Sequence, residues 1–188
     1  MHRTIVIAFS TLDGIVEDPD GTGGTANGGW AFRHGPEAVA GDKFKLGPVL
    51  DAGTLLLGRK TWQLFSHIWP QRTDDFSVAM NRIPKLVATS TVTDLSAWAN
   101  SQRLNGKLAD VVAEQKADRD VIVAGSASVV HALAEQDLID EYRVLIFPDV
   151  LGHGTKLFTD ETVPSRLRLL SAAPTGPAAL VRYERASF

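Results

Sequence analysis

Cysteine is absent from the 188-residue chain. That lack excludes a disulfide framework, a thiolate zinc site and a cysteine nucleophile, and it suits a reducing compartment. No apolar run approaches the roughly 18 residues of a membrane span. The N-terminal stretch Thr4-Ile5-Val6-Ile7-Ala8-Phe9 is also too short for a signal sequence. A cytoplasmic, unprocessed chain is therefore expected. Nor is one sign of charge in surplus: 19 Lys and Arg against 22 Asp and Glu leave a formal net charge of -3. Nucleic acid and anionic membrane, which are met by concentrated positive charge, are not expected as partners. His34, His67, His131 and His153 are scattered without a metal-binding spacing, so they read as structural or surface residues and no metal is expected.

What the chain does hold is an apolar content of 44%, enough for one buried core, with no internal repeat and no break in composition. A single domain over residues 1–188 is expected. β-Branched clusters alternate with helical patterns, which predicts an α/β fold. Strands are expected at Thr4 to Phe9, Thr54 to Leu57, Lys85 to Thr89, Asp120 to Ala124 and Tyr142 to Phe147. Helical patterns fall at Glu37 to Leu50, from Gly58 to about Phe65, up to Ala117, and after Gly125, where Val129, Val130, Leu133 and Leu138 share a face. Two short alternating segments, Arg166 to Ser171 and Ala179 to Ala186, read as a hairpin. The expected architecture is a mixed, mostly parallel central sheet flanked by helices and finished by an antiparallel C-terminal hairpin. Asp18 to Gly29 is so rich in glycine that it predicts a long mobile loop.

Ligands of an open α/β sheet settle at the carboxyl ends of its strands, and three strand-to-helix corners are candidates. At Gly58-Arg59-Lys60-Thr61 a helix start offers free amides and a partial positive charge, to which two cations and a hydroxyl are added. At Gly125-Ser126-Ala127-Ser128 small residues leave room for a pyrophosphate over a helix start. At Thr89-Ser90-Thr91 hydroxyls follow the third expected strand. Each corner also has a plain structural reading: Thr61 or Ser126 as a helix cap, solvated cations, a polar turn. Planar heterocycles are held well by aromatic faces. Trp30 ends the Gly-rich loop and is read as a substrate lid, and Phe65 and Trp69 as pocket walls, with core packing the alternative for each. Glu37 and Asp42 read as solvated helix charges, and no proton donor is assigned.

Five segments in fixed order carry a resemblance. They are Ser10-Thr11-Leu12-Asp13-Gly14, then Leu56-Leu57-Gly58-Arg59-Lys60-Thr61-Trp62, then Pro84-Lys85 with its hydroxyl tail, then Val121-Ile122-Val123-Ala124-Gly125-Ser126, and finally the run from Phe147 to Phe158. The chain resembles the dihydrofolate reductase fold family, in the branch similar to the reductase domain of riboflavin biosynthesis and its free-standing bacterial relatives. The resemblance implies an NADPH-dependent reductase for a small planar heterocycle such as a pterin, a folate or a ribosylaminopyrimidine. It implies that Arg59 contacts the adenosine 2'-phosphate and that Lys60 and Thr61 lie at the pyrophosphate, with Gly58 forming the turn. Thr89, Ser90 and Thr91 would flank the adenosine end. Gly125, Ser126, Ala127 and Ser128 would cover the diphosphate, and the backbone near Ala8 would meet the nicotinamide. Gly125-Ser126 stands where the family has paired glycines. Gly152-His153-Gly154 is similar to a hairpin turn of the family. The resemblance further implies a homodimer. The zinc deaminase that bifunctional relatives carry needs cysteines and is not expected here. A nucleotide-binding module of the same fold without turnover stands as the alternative, and a flavin-handling protein as a third.

Overall fold

The computed structural model describes residues 2–186. Its elements follow as β1 (Thr4–Thr11), α1 (Pro36–Val39), α2 (Pro48–Ala52), β2 (Thr54–Gly58), α3 (Arg59–Ile68), α4 (Asp75–Arg82) and β3 (Lys85–Ala88). Then come β4 (Ser101–Arg103), α5 (Leu108–Asp118), β5 (Val121–Val123), α6 (Ala127–Ala134), β6 (Glu141–Phe147), β7 (Leu167–Thr175) and β8 (Ala178–Arg185). The strands join one sheet in the order β4-β3-β2-β5-β1-β6-β8-β7. Its first six members are mutually parallel, and β8 runs antiparallel between β6 and β7. The sheet is thus mostly parallel with an antiparallel C-terminal hairpin.

Side chains alternate across a strand, so adjacent residues of the central strands feed opposite cores. Val6, Leu56, Val121 and Val123 pack on one face against Val112 of α5 and Val129, Val130 and Leu133 of α6. Ile5, Ile7, Leu55, Leu57 and Val87 pack on the other against Trp62 of α3, Met80 of α4 and Trp98. With both faces covered, these strands are apolar nearly throughout, the property by which the sequence reveals them.

Among the described residues three charged side chains are buried in this frame: Glu141, its partner Arg143, and Lys85. Glu141 accepts Arg143 Nε at 2.8 Å and Arg182 at 2.9 Å, and its other oxygen faces Arg3 at 2.6 Å. Burial pushes this carboxyl up, but the bonds from Arg143 and Arg182 and the charges of Arg143 and Arg3 outweigh it and hold the group below its usual range. Lys85, 1% exposed at the start of β3, donates to the carbonyls of Ile83, Asn81 and Ala99 at 2.8 to 3.0 Å. Its ammonium also lies 4.4 Å from the centre of the Trp98 ring.

The expected helix from Glu37 to Leu50 is instead two short ones, α1 and α2, with an irregular link. Gly41, Lys45 and Gly47 take positive φ there, which a helix does not tolerate. The Asp42 carboxylate accepts the amides of Leu46 and Gly47, competing for the backbone as Asp side chains do. Helix α4 and the short edge strand β4 were outside the sequence expectation. The Gly-rich loop has no regular element, but it is tied down: Asp18 accepts the amides of Gly23 and Thr25 and the Thr25 hydroxyl. Gly152-His153-Gly154 does not turn a hairpin between neighbouring strands. It belongs to a loop stitched onto the turn after β1, where the Asp13 carboxylate accepts the amides of Leu151 and Gly152.

Candidate functional site

Parallel neighbours bring their carboxyl ends to one rim, and strand order decides which corners meet. β3, β2 and β5 are consecutive in the sheet, so Thr89-Ser90-Thr91, Gly58-Arg59-Lys60-Thr61 and Gly125-Ser126-Ala127-Ser128 stand side by side. The second and third are in contact. The Gly58 amide donates to the Gly125 carbonyl at 2.8 Å, and the Thr61 hydroxyl lies 3.3 Å from that of Ser126. A β-carbon at Gly58 would come within 2.9 Å of the Ser126 amide nitrogen, so only glycine fits. Gly125 has φ +106°, in the left-handed half of the map where glycine is favoured, and the Gly125–Ser126 peptide is cis.

Both helix starts at this junction lack a side-chain cap. Gly58 has no side chain to offer α3, and Ser126, although it occupies the cap position of α6, makes no capping bond. The Val129 amide donates to the Ser126 carbonyl, so it is the leading amides, at Arg59 and Lys60 of α3 and Ala127 and Ser128 of α6, that stand without a side-chain cap at one rim, where they favour an anion. Arg59 is half-buried and Lys60 exposed. The Arg59 guanidinium is bonded to the Gln63 side chain at 3.0 Å, and among the described residues no carboxylate pairs with either cation. Two free positive charges beside uncapped amides suit a phosphate group, and small half-buried residues at Gly125, Ser126 and Ala127 leave room for it. Ser128 is exposed. The Thr89 hydroxyl accepts the amides of Thr91 and Val92 and so shapes its own turn, leaving Ser90 and Thr91 exposed.

Ala8 lies farther along the same rim. The β1–β5 ladder runs only from Thr4 to Val6, whereas the β1–β6 ladder continues to Thr11. β1 and β5 therefore part beside Ala8, opening backbone to a ligand lying across the rim.

The aromatic residues behave differently. Trp30 is fully buried, packs with Leu145, Phe147 and Leu180, and donates its indole N–H to the Glu17 carbonyl at 2.8 Å. The lid role is thereby corrected: an indole with both its faces and its donor satisfied inside the core presents nothing to a substrate. Phe65 and Trp69 are half-buried and meet edge to face at 5.6 Å. Trp69 lies past the far end of α3, about 15 Å from its start at 1.5 Å per residue, and packs on Phe76 of α4. The structure does not bring it to the three corners. A groove of about 540 Å³ lined by Trp98, Ser101 and Arg103, and another of about 270 Å³ lined by Thr54, Lys85 and Glu114, include no residue of those corners.

One pair escaped the sequence reading. His34 Nε2 stands 2.6 Å from Asp149 Oδ2, across a sequence separation of 115 residues that no spacing rule could bridge. Among the described residues no group of three His, Asp or Glu side chains is placed to hold a metal ion, and no helix is long and apolar enough to cross a membrane.

The model of the RibD C-terminal domain matches residues 3–181. The chain belongs to the RibD C-terminal domain family. Among its relatives, the uncharacterized protein YwjB of Bacillus subtilis (strain 168) is 25% identical over 188 residues, covering 98% of this chain and 99% of YwjB. Among solved structures, a Shewanella sp. PV-4 protein named for riboflavin biosynthesis superposes with a TM-score of 0.75 at 20% identity, covering 98% of this chain and 99% of its own. The Thermotoga maritima diaminohydroxyphosphoribosylaminopyrimidine deaminase/5-amino-6-(5-phosphoribosylamino)uracil reductase superposes at 0.61 with 15% identity, over 98% of this chain and 57% of its own. Both have the fold described above, with its mixed sheet and antiparallel C-terminal strands.

Proposed function

We propose that this RibD C-terminal domain family member is an NADPH-dependent reductase that delivers hydride to a small planar heterocycle. The observation that carries the reading is the Gly58–Ser126 junction, where two uncapped helix starts, unpaired Arg59 and Lys60 and the hydroxyls of Thr61 and Ser126 share one rim. The amides and Lys60 suit a pyrophosphate, and Arg59, steadied by Gln63, suits the dianionic 2'-phosphate that distinguishes NADPH from NADH. Ser90 and Thr91 would border the adenosine. The parting of β1 and β5 beside Ala8 would receive the nicotinamide, so that the dinucleotide lies across the sheet edge. When bound, it would supply the hydride, while the chain's residues hold it and screen the reacting carbon from water.

The same reading places the chain in the cytoplasm as a homodimer. β7 offers an edge for pairing: it is exposed along most of its length, with Leu169 51% exposed.

Tryptophan emission tests the cofactor claim before any substrate is known. Trp62 sits three residues from Arg59 with its indole on Ser101, so a ligand at this corner would disturb it. Saturable quenching by NADPH, tighter than by NADH, is expected. A flat titration with both nucleotides would remove the basis of the reading.

A further inference from the structure

The rim does not end at β1. The next strand, β6, delivers Phe147-Pro148-Asp149 to it. Asp149 holds the His34 imidazole at 2.6 Å, and the two side chains are 19% and 22% exposed, shielded yet reachable by water. The His34 ring rests 5.7 Å from that of Phe147, which lies 5.4 Å from Phe9, the neighbour of Ala8. A hydrogen-bonded histidine–carboxylate pair thus stands at the same rim, past the end of β1, where the Leu12 amide donates to the Asp149 carbonyl at 2.9 Å.

The carboxylates nearby are otherwise engaged. Asp13 accepts the Thr11 hydroxyl and the amides of Leu151 and Gly152, Asp42 accepts two amides of its own loop, and Glu17 accepts the Thr155 hydroxyl. Glu37 is exposed on α1. Of the other charged or titratable groups on the flanking loops, Arg33 donates to the Gly28 carbonyl and His153 lies 3.2 Å from the Asn27 side-chain amide.

We propose that His34, oriented by Asp149, is the proton donor of this site; the inference rests on the reductase reading above. A carboxylate only accepts, so Nε2–H faces Asp149 and Nδ1 is left for the substrate. As the carbon of a C=N or C=O bond takes hydride from NADPH, the π electron pair moves to the heteroatom, which takes the proton from His34 Nδ1. The neutral imidazole keeps its bond to Asp149 and regains a proton from water.

The test uses the full chain, with NADPH and three probes: 5-amino-6-(5-phosphoribosylamino)uracil, 7,8-dihydrofolate and a dihydropterin. His34→Gln and Asp149→Asn are expected to bind NADPH as the wild type does. With an accepted probe, wild-type kcat should show a solvent deuterium isotope effect, as proton transfer from a positioned side chain in the transition state requires. His34→Gln should lower kcat by about 100-fold and change that isotope effect, and Asp149→Asn should lower kcat by a smaller factor with KM little changed. A His34→Gln enzyme with the wild-type rate, or with a lower rate but an unchanged isotope effect, overturns the proposal alone. NADPH binding without oxidation of any probe also counts against it, whereas failure of the wild type to bind NADPH brings down the reductase reading itself.

Discussion

The Gly58 amide donates to the Gly125 carbonyl at 2.8 Å, so two strand-to-helix corners far apart in sequence are locked at backbone level. Gly58 has φ -77° and ψ 160°, an extended conformation open to any residue, and its requirement for glycine is purely steric. Gly58→Ala would push a methyl group against the Ser126 amide and hydroxyl, which belong to backbone and a short side chain and cannot swing away. A loss of about 1–3 kcal/mol is expected, the range of overpacking substitutions, together with weaker NADPH binding. Urea midpoints and fluorescence titrations would register both. An unchanged midpoint would mean that the corners do not pack this closely.

Arg59 carries the proposed discrimination between cofactors. Its guanidinium is bonded to Gln63 and to no carboxylate among the described residues, so its charge is available to a ligand. Arg59→Ala should weaken NADPH by about 1.5–3 kcal/mol, the scale of hydrogen bonds to charged groups, and leave NADH nearly untouched. Equal losses for both nucleotides would show that Arg59 does not read the 2'-phosphate.

Trp30 makes the opposite kind of prediction. Because it is fully buried against Leu145, Phe147 and Leu180, Trp30→Ala should cost about 3–5 kcal/mol in unfolding measurements, as large-to-small aromatic substitutions do. NADPH affinity of the fraction that remains folded should be unaltered. A variant of wild-type stability that bound ligands poorly would restore the lid.

The contrast between Arg59 and Trp30 shows what was legible in the sequence. The β2–α3 and β5–α6 corners could be read because a glycine at the end of an apolar run is a local signal, and parallel pairing then forces such corners together. Trp30 was misread for the same reason: glycines before it signalled a loop, but nothing local says that the loop folds back on Asp18 and seats its last residue in the core. The link between α1 and α2 was lost to Asp42, whose side chain competes for backbone amides in a stretch with helical spacing. His34 and Asp149 meet only through tertiary structure, and a lone histidine carries no pattern of its own.

Lys85 gives a dependence on pH whose sign can be worked out. Burial lowers its ammonium from 10.5 to about 8, while three carbonyl acceptors and the Trp98 face keep it charged at neutral pH. Between those two values the unfolded chain holds a proton that the folded chain has released. The unfolded state therefore binds more protons, and the stability of the fold rises with pH across this window. Each unit of pKa difference corresponds to about 1.4 kcal/mol, so the gain from pH 8 to 10 should be measurable in urea midpoints. Lys85→Met removes the titrating group, and its stability should climb less steeply than that of the wild type over the same range. Parallel slopes for the two proteins would mean that the ammonium keeps its ordinary proton affinity in the fold, with the three carbonyls fully offsetting its loss of water.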